Sequence, residues 1–225
     1  MIAVGATSVG PHIFWITSRA AGIAALVLSS ASVGAGLLIG GRAGSVRNGL
    51  GGDAKALHEA LSLATLAAIA IHGVALLGDH FLHPTILDIS VPFTGGYRPF
   101  WTGIGIAAGW AMAALGLSYY ARGWIGQSRW RSLHRFTAVF WILGIAHSLG
   151  SGTDAGQPWF QIALAIPAIP ALILLLGKLT RAGSDKRSQA DAGPGAERPD
   201  RLDPAAVVDE QPAALGEDRA GAVDS

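Results

Sequence analysis

Apolar positions in this chain come in long unbroken runs. They follow neither the alternation of a half-buried strand nor the one-sided stripe of a surface helix. Five stretches contain no Asp, Glu, Lys or Arg: Ala20–Gly41, Ala60–Gly78, Pro99–Ala121, Phe136–Thr153 and Ala155–Gly177. At a rise of ~1.5 Å per residue, roughly 20 residues cross the ~30 Å of bilayer hydrocarbon. A helix satisfies its own backbone hydrogen bonds, as lipid demands. The pattern therefore predicts an all-α integral membrane bundle of about five transmembrane helices. The N-terminal MIAVGATSVGPHIFW has no basic flank, so the first helix is expected to stay rather than be cleaved as a signal. Pro167 and Pro170 predict a kink in the fifth helix, because membrane helices tolerate proline.

Polar segments set the topology. Arg42, Arg47 and Lys55 fall between the first and second runs, Arg122, Arg129, Arg131 and Arg135 between the third and fourth, and Lys178, Arg181, Lys186 and Arg187 after the fifth. With five spans, all three clusters share one side. The segments facing the other way, 79–98 and about 150–158, hold only Arg98. Basic loops mark the cytoplasmic face, which predicts a multi-pass cell-membrane protein with its N-terminus outside and its C-terminus inside. Within the 79–98 loop, ILDISVPF reads as a short helix lying at the interface.

Composition agrees with a membrane core. Of 225 residues, 51% are hydrophobic and 14% charged, too apolar for an ordinary soluble domain. Residues 183–225 are rich in Ala, Gly, Asp and Pro and poor in large apolar side chains. Such a segment buries too little surface to offset its ordering entropy, so it reads as a disordered acidic tail beyond a membrane domain at 1–182. No partner is expected among nucleic acids; the bilayer is the expected surroundings.

With no cysteine in the sequence, thiolate metal sites, iron–sulfur clusters and covalently attached haem are excluded. Any haem would be held non-covalently by histidine or methionine, and with only Met1 and Met112 present histidine is the realistic choice. His58 and His72 lie in LHEALSLATLAAIAIHG, and His134 and His147 in LHRFTAVFWILGIAHS. The 14- and 13-residue separations correspond to about 21 Å and 20 Å along a helix. Each segment thus carries one imidazole near each membrane face, and the two segments match in depth. Ionisable residues inside a bilayer are costly and tend to be functional. Two depth-matched pairs suit two stacked haems, each held by two histidines; the rival role, a proton relay, would want acids and histidines spaced along one path. The angles fit less well. At ~100° per residue, 14 steps return to within about 40° of one face, whereas 13 steps end about 140° away. A kink, a π-bulge or different haem azimuths would reconcile the second segment.

Other residues qualify the picture. Gly73, Gly78, Gly144 and Ala146 would let a flat macrocycle approach, or simply serve helix packing. Arg19 is placed to pair with a haem propionate or to snorkel to headgroups; Arg98, beside Tyr97 and Trp101, has the same two options. Trp15, Trp101, Trp124, Trp130 and Trp159 read as an interfacial belt. Trp141 lies between the two histidine levels and reads as core packing. His80 and His83, beside Asp79, offer a weaker metal-binding alternative, and His12 has no evident partner.

WITSRAAGIAALVL, LHEALSLATLAAIAIHG, VPFTGGYRPFWTGIGI and RWRSLHRFTAVFWILGIAHSLGSGTD together resemble the ferric reductase-like transmembrane domain. Ferric reductases, NADPH oxidases and the methionine-sulfoxide-reductase haem subunit share that domain, and the likeness covers about residues 12–180. It implies two b-type haems, His58 with His134 on the inner side and His72 with His147 on the outer side, and outward electron flow. It also implies a separate flavoprotein or quinone donor and an acceptor such as ferric iron, dioxygen or an extracytoplasmic partner reductase. The chain departs from larger members in having five spans rather than six. The flavin and nucleotide domain of the reductases and oxidases has no counterpart in residues 183–225. The haem subunit of an oxidoreductase is thus the expectation, with a haem-free small transporter or membrane scaffold as its rival.

Overall fold

The computed structural model describes residues 12–41 and 50–191, and every regular element among them is a helix. In chain order they are α1 (Ile13–Gly41), α2 (Leu50–Leu76), α3 (Ile86–Ser90), α4 (Pro99–Leu117), α5 (Arg122–Ile125), α6 (Gln127–His134), α7 (Thr137–Ser151) and α8 (Pro158–Asp191). Four of them, α1, α2, α4 and α8, are long and apolar enough to cross a membrane. The protein is an integral membrane helical bundle.

The fourth apolar run behaves differently from the expectation of one long span. It forms only the 15-residue α7, too short to be counted with the four long spans: α6 ends at His134, the chain turns at Arg135–Phe136, and α7 starts at Thr137. The amides of Phe136, Ala138 and Val139 bond three residues back, to Leu133, Arg135 and Phe136. This tighter winding adds about 20° per residue over an α-helix, so a few such steps remove roughly half of the angular mismatch between His134 and His147.

Small and hydroxyl-bearing residues make up the interior. Ala25, Ala68, Ala75, Ala108 and Ala171 are buried, as are Ser18, Ser29, Ser30, Ser32 and Thr65, while Leu, Ile and Phe crowd the outer surface. That distribution suits helices packed in lipid, where close approach and interhelical hydrogen bonds replace a hydrophobic driving force. α1 packs along α2 and α4 along α7, with α1 also meeting α7 and α2 meeting α4. The cycle leaves α2 and α7 on a diagonal, without close backbone packing between them. Phe160 and Leu164 of α8 join Leu26 of α1 in a buried cluster that Ile145 of α7 also touches.

α8 runs through Pro167 and Pro170 as one helix. It continues to Asp191, so residues 183–191 are helical rather than irregular. The rest of the expected tail, His12's preceding segment, Arg42 and Arg47 lie outside the described residues. The chain divides into two units, residues 1–180 and 181–225.

Candidate functional site

Each histidine of α2 faces one on the α6–α7 segment. The rings of His58 and His134 have centroids 6.1 Å apart and planes at 87°; those of His72 and His147 lie 6.4 Å apart at 71°. The pairs anticipated from depth are therefore the pairs that meet, across the diagonal that α2 and α7 leave open.

Neighbouring backbone fixes three of the four rings. His58 Nδ1 lies 3.0 Å from the Ser32 carbonyl oxygen, His72 Nδ1 2.8 Å from that of Ser18, and His147 Nδ1 2.9 Å from that of Trp101. A main-chain carbonyl only accepts, so each Nδ1 donates its proton. Nε2 is left as the lone-pair nitrogen and makes no hydrogen bond among the described residues. This is how a metal-ligating imidazole is ordinarily oriented and its tautomer fixed. The serines add a second tether. Ser18 Oγ donates to the His72 carbonyl and Ser62 Oγ to that of His58, with Ser32 and Ser62 hydroxyls 2.8 Å apart.

One residue pattern makes each of these seats. A glycine four positions after the accepting carbonyl lets the imidazole lie against its helix. A Cβ on Gly22 would stand 3.0 Å from His72 Nδ1, one on Gly36 3.1 Å from His58 Cε1, and one on Gly105 would collide with the His147 ring. The seats Ser18/Gly22 and Ser32/Gly36 are 14 residues apart on α1, matching the 14 between His58 and His72 on antiparallel α2. Fourteen residues after Trp101 comes Leu115, whose backbone approaches His134. There the pattern fails: Nδ1 of His134 is buried without a hydrogen bond of ordinary geometry, and the fourth position on is Tyr119 rather than glycine. Tyr119 packs edge-on against Trp130, whose ring stacks on His134 at 5.0 Å and 22°.

The donor set fits haem. With a metal–nitrogen distance of about 2.0–2.1 Å on each side, two axial nitrogens stand roughly 4 Å apart and their ring centroids roughly 6 Å apart. Both observed separations meet that requirement. No cluster of three or more His, Cys, Asp or Glu suited to a bare metal ion occurs among the described residues. Haem would need only two protein ligands at each level, and each level offers two histidines.

The remaining candidates fall elsewhere. Arg19 makes a bidentate ion pair with Asp154, Nε to Oδ2 and Nη2 to Oδ1, flanked by the rings of Trp15 at 4.8 Å and Trp159 at 5.9 Å. Arg98 Nη1 donates to the Gly150 carbonyl at 2.5 Å. His80 and His83 are exposed and face each other at 6.2 Å. Trp141 is 1% exposed, and its Nε1 donates to Ser30 Oγ at 3.0 Å. A Cβ on Gly73 or Gly144 would meet no atom within 4 Å beyond its own helix backbone, whereas one on Gly78 would collide with the Phe14 ring. Sequence reasoning missed Ser18, Gly22, Ser32, Gly36 and Gly105. The signal was present as SRAAG and SVGAG, two serine–glycine steps repeating at 14 residues.

Comparison with family models, curated proteins and solved structures gives no match to this chain.

Proposed function

We propose that the chain is a membrane cytochrome b of the ferric reductase-like type. In this reading it carries electrons through two bis-histidine haems from a cytoplasmic or membrane donor to an extracytoplasmic acceptor. The observation that carries the reading is the pair of facing histidines at each of two levels, 6.1 Å and 6.4 Å between rings. His58 with His134 would hold one haem and His72 with His147 the other. Haem supplies a one-electron carrier at each level when bound.

The chain's own groups do the rest. Ser18, Ser32 and Trp101 carbonyls hold the Nδ1 protons of three ligands and aim their Nε2 atoms away from the supporting helices. Gly22, Gly36 and Gly105 admit the imidazoles. The closely packed interior of small residues, with its serine and threonine hydroxyls, leaves little room for water; with the ligands, such surroundings are what tune haem potentials. Lys and Arg in the inner loops orient the protein with its N-terminus outside and the His58/His134 level toward the cytoplasm. A flavoprotein or quinone would serve as donor, and ferric iron or a partner reductase as acceptor.

A reduced-minus-oxidised spectrum of the protein purified from haem-replete membranes tests the reading. Bands of b-type haem with two haems per chain by pyridine haemochrome are expected. A folded, colourless protein would overturn the proposal in favour of a haem-free transporter or scaffold.

A further inference from the structure

α4 provides a ruler for the loop between α2 and α4. It is 19 residues long, about 28 Å, and it is bracketed by Arg98 and Arg122 with no charge between them. Its length therefore matches one crossing of the hydrocarbon. Trp110 lies 11 residues in from Pro99, about 16 Å along that axis. Its indole Nε1 donates to the Ser90 carbonyl at 2.8 Å. Even with the side chain leaning back toward the helix N-terminus, Ser90 lies on the order of 10 Å or more below the end of α4. Phe93 packs on Gly103, higher on the same helix, and Arg98 returns the chain to the surface. The 79–98 loop therefore does not end level with the start of α4. It dips beside α4 and comes back.

The hairpin meets the conditions that lipid imposes on irregular backbone. Ser90 O takes the Trp110 indole, Leu87 O and Val91 O take the Thr94 hydroxyl, and Tyr97 O takes the Thr102 hydroxyl. The amides of Ile89 and Val91 bond back to Thr85 and Leu87. Side-chain donors thus close carbonyls that hydrocarbon would leave unpaired. Between Asp79 and Arg98 the only charged side chain is Asp88. Its carboxylate accepts from both the amide and the hydroxyl of Thr85, and Gly95 of the rising limb packs beside it. The outward face carries Ile86 at 69% exposed and Leu87 at 65%, and Phe93, packed on Gly103 along one edge, is still 57% exposed.

We propose that residues 85–98 form a re-entrant hairpin whose outward face is a binding surface for lipid acyl chains, in the leaflet on the His72/His147 side. Phe93 and Arg98 hold left-handed backbone at φ 69° and 41°. Such conformations are uncommon without glycine and need anchoring, here by Gly103 and by the Gly150 carbonyl. The occupant is the bilayer itself, and the inference stands whether or not the histidines bind haem.

The absence of native cysteine makes the test direct. Ile86→Cys, Leu87→Cys and Phe93→Cys, with Phe81→Cys as the surface reference, are nitroxide-labelled in the full chain in phosphatidylcholine vesicles. Relaxation by oxygen, which partitions into hydrocarbon, is compared with relaxation by a polar nickel chelate. The oxygen-to-nickel ratio is expected to be severalfold higher at positions 87 and 93 than at 81. Equal ratios would overturn the proposal. So would low accessibility to both agents, the signature of a protein partner or second copy covering the face. Labelling of Ile86→Cys by an impermeant maleimide, slow in sealed membranes and fast after detergent, is the second readout, and fast labelling in both would also count against it.

Discussion

The indole of Trp130 lies nearly parallel to the His134 imidazole, with ring centroids 5.0 Å apart. Every other histidine of the two pairs is held instead by a main-chain carbonyl at Nδ1. The two imidazoles of the His58/His134 pair are therefore unlike. An imidazole whose Nδ1 proton is held by an acceptor is the more basic ligand, and ligand basicity bears on haem potential. Removing the stack should free His134 without unseating it. We expect Trp130→Leu to keep both haems and shift one potential only, by on the order of 60 mV, a tenfold change in a one-electron equilibrium. Potentiometric titration of the two haems checks this, and equal movement of both would contradict it.

Ligand deletion should be selective by level. His72→Ala and His147→Ala each remove one side of the outer pair, and His58→Ala and His134→Ala one side of the inner. A level left with one histidine would no longer hold haem from both sides. Each variant is expected to fall from two haems per chain to one by pyridine haemochrome assay. An unchanged stoichiometry in all four would remove the assignment.

The glycine seats give a test that leaves every ligand in place. Gly105 has no room for a Cβ beneath the His147 ring, and overpacking of this kind costs about 1–3 kcal/mol. Gly105→Val should displace His147 and lower outer haem occupancy severalfold. Gly109→Ala one turn on meets only Ile69 at 3.4 Å and is expected to be near neutral. Haem-to-protein absorbance ratios of the two variants decide the point.

These seats also show what was legible beforehand. Histidine depth was readable, because spacing along a helix converts directly into height. Facing was half readable: 14 residues bring His58 and His72 onto one side, while 13 do not align His134 with His147. The missing rotation lies in the turn at Arg135–Phe136, and no proline or glycine there announces it. The carbonyl seats were written in α1 as serine–glycine steps, yet they look like ordinary small-residue packing until the antiparallel neighbour is known. Arg19 had two readings on sequence, and its pairing with Asp154 joins residues 135 apart. The dip of residues 85–98 was hidden for a similar reason. ILDISVPF carries the same side chains whether it floats at the interface or descends, and only the Trp110–Ser90 contact sets its depth.

Electron supply provides the last test. The sequence of residues 192–225 has no glycine-rich turn of the dinucleotide-binding kind and too few apolar residues to build a nucleotide fold around one. The four histidines, and the carbonyls that hold three of them, all fall between Ser18 and His147. A chain ended after Asp191 should therefore retain both haems and the same dithionite-reduced spectrum as the full chain. Neither form should oxidise NADH or NADPH at a useful rate alone, whereas a flavoprotein reductase added with NADPH should reduce the haems if it reaches the inner pair. Stopped-flow absorbance at the reduced b-type band measures both. Haem reduction by NADPH without added flavoprotein would place a donor site within this chain. Loss of haem on truncation would give residues 192–225 a structural role that no ligand or seat described above requires.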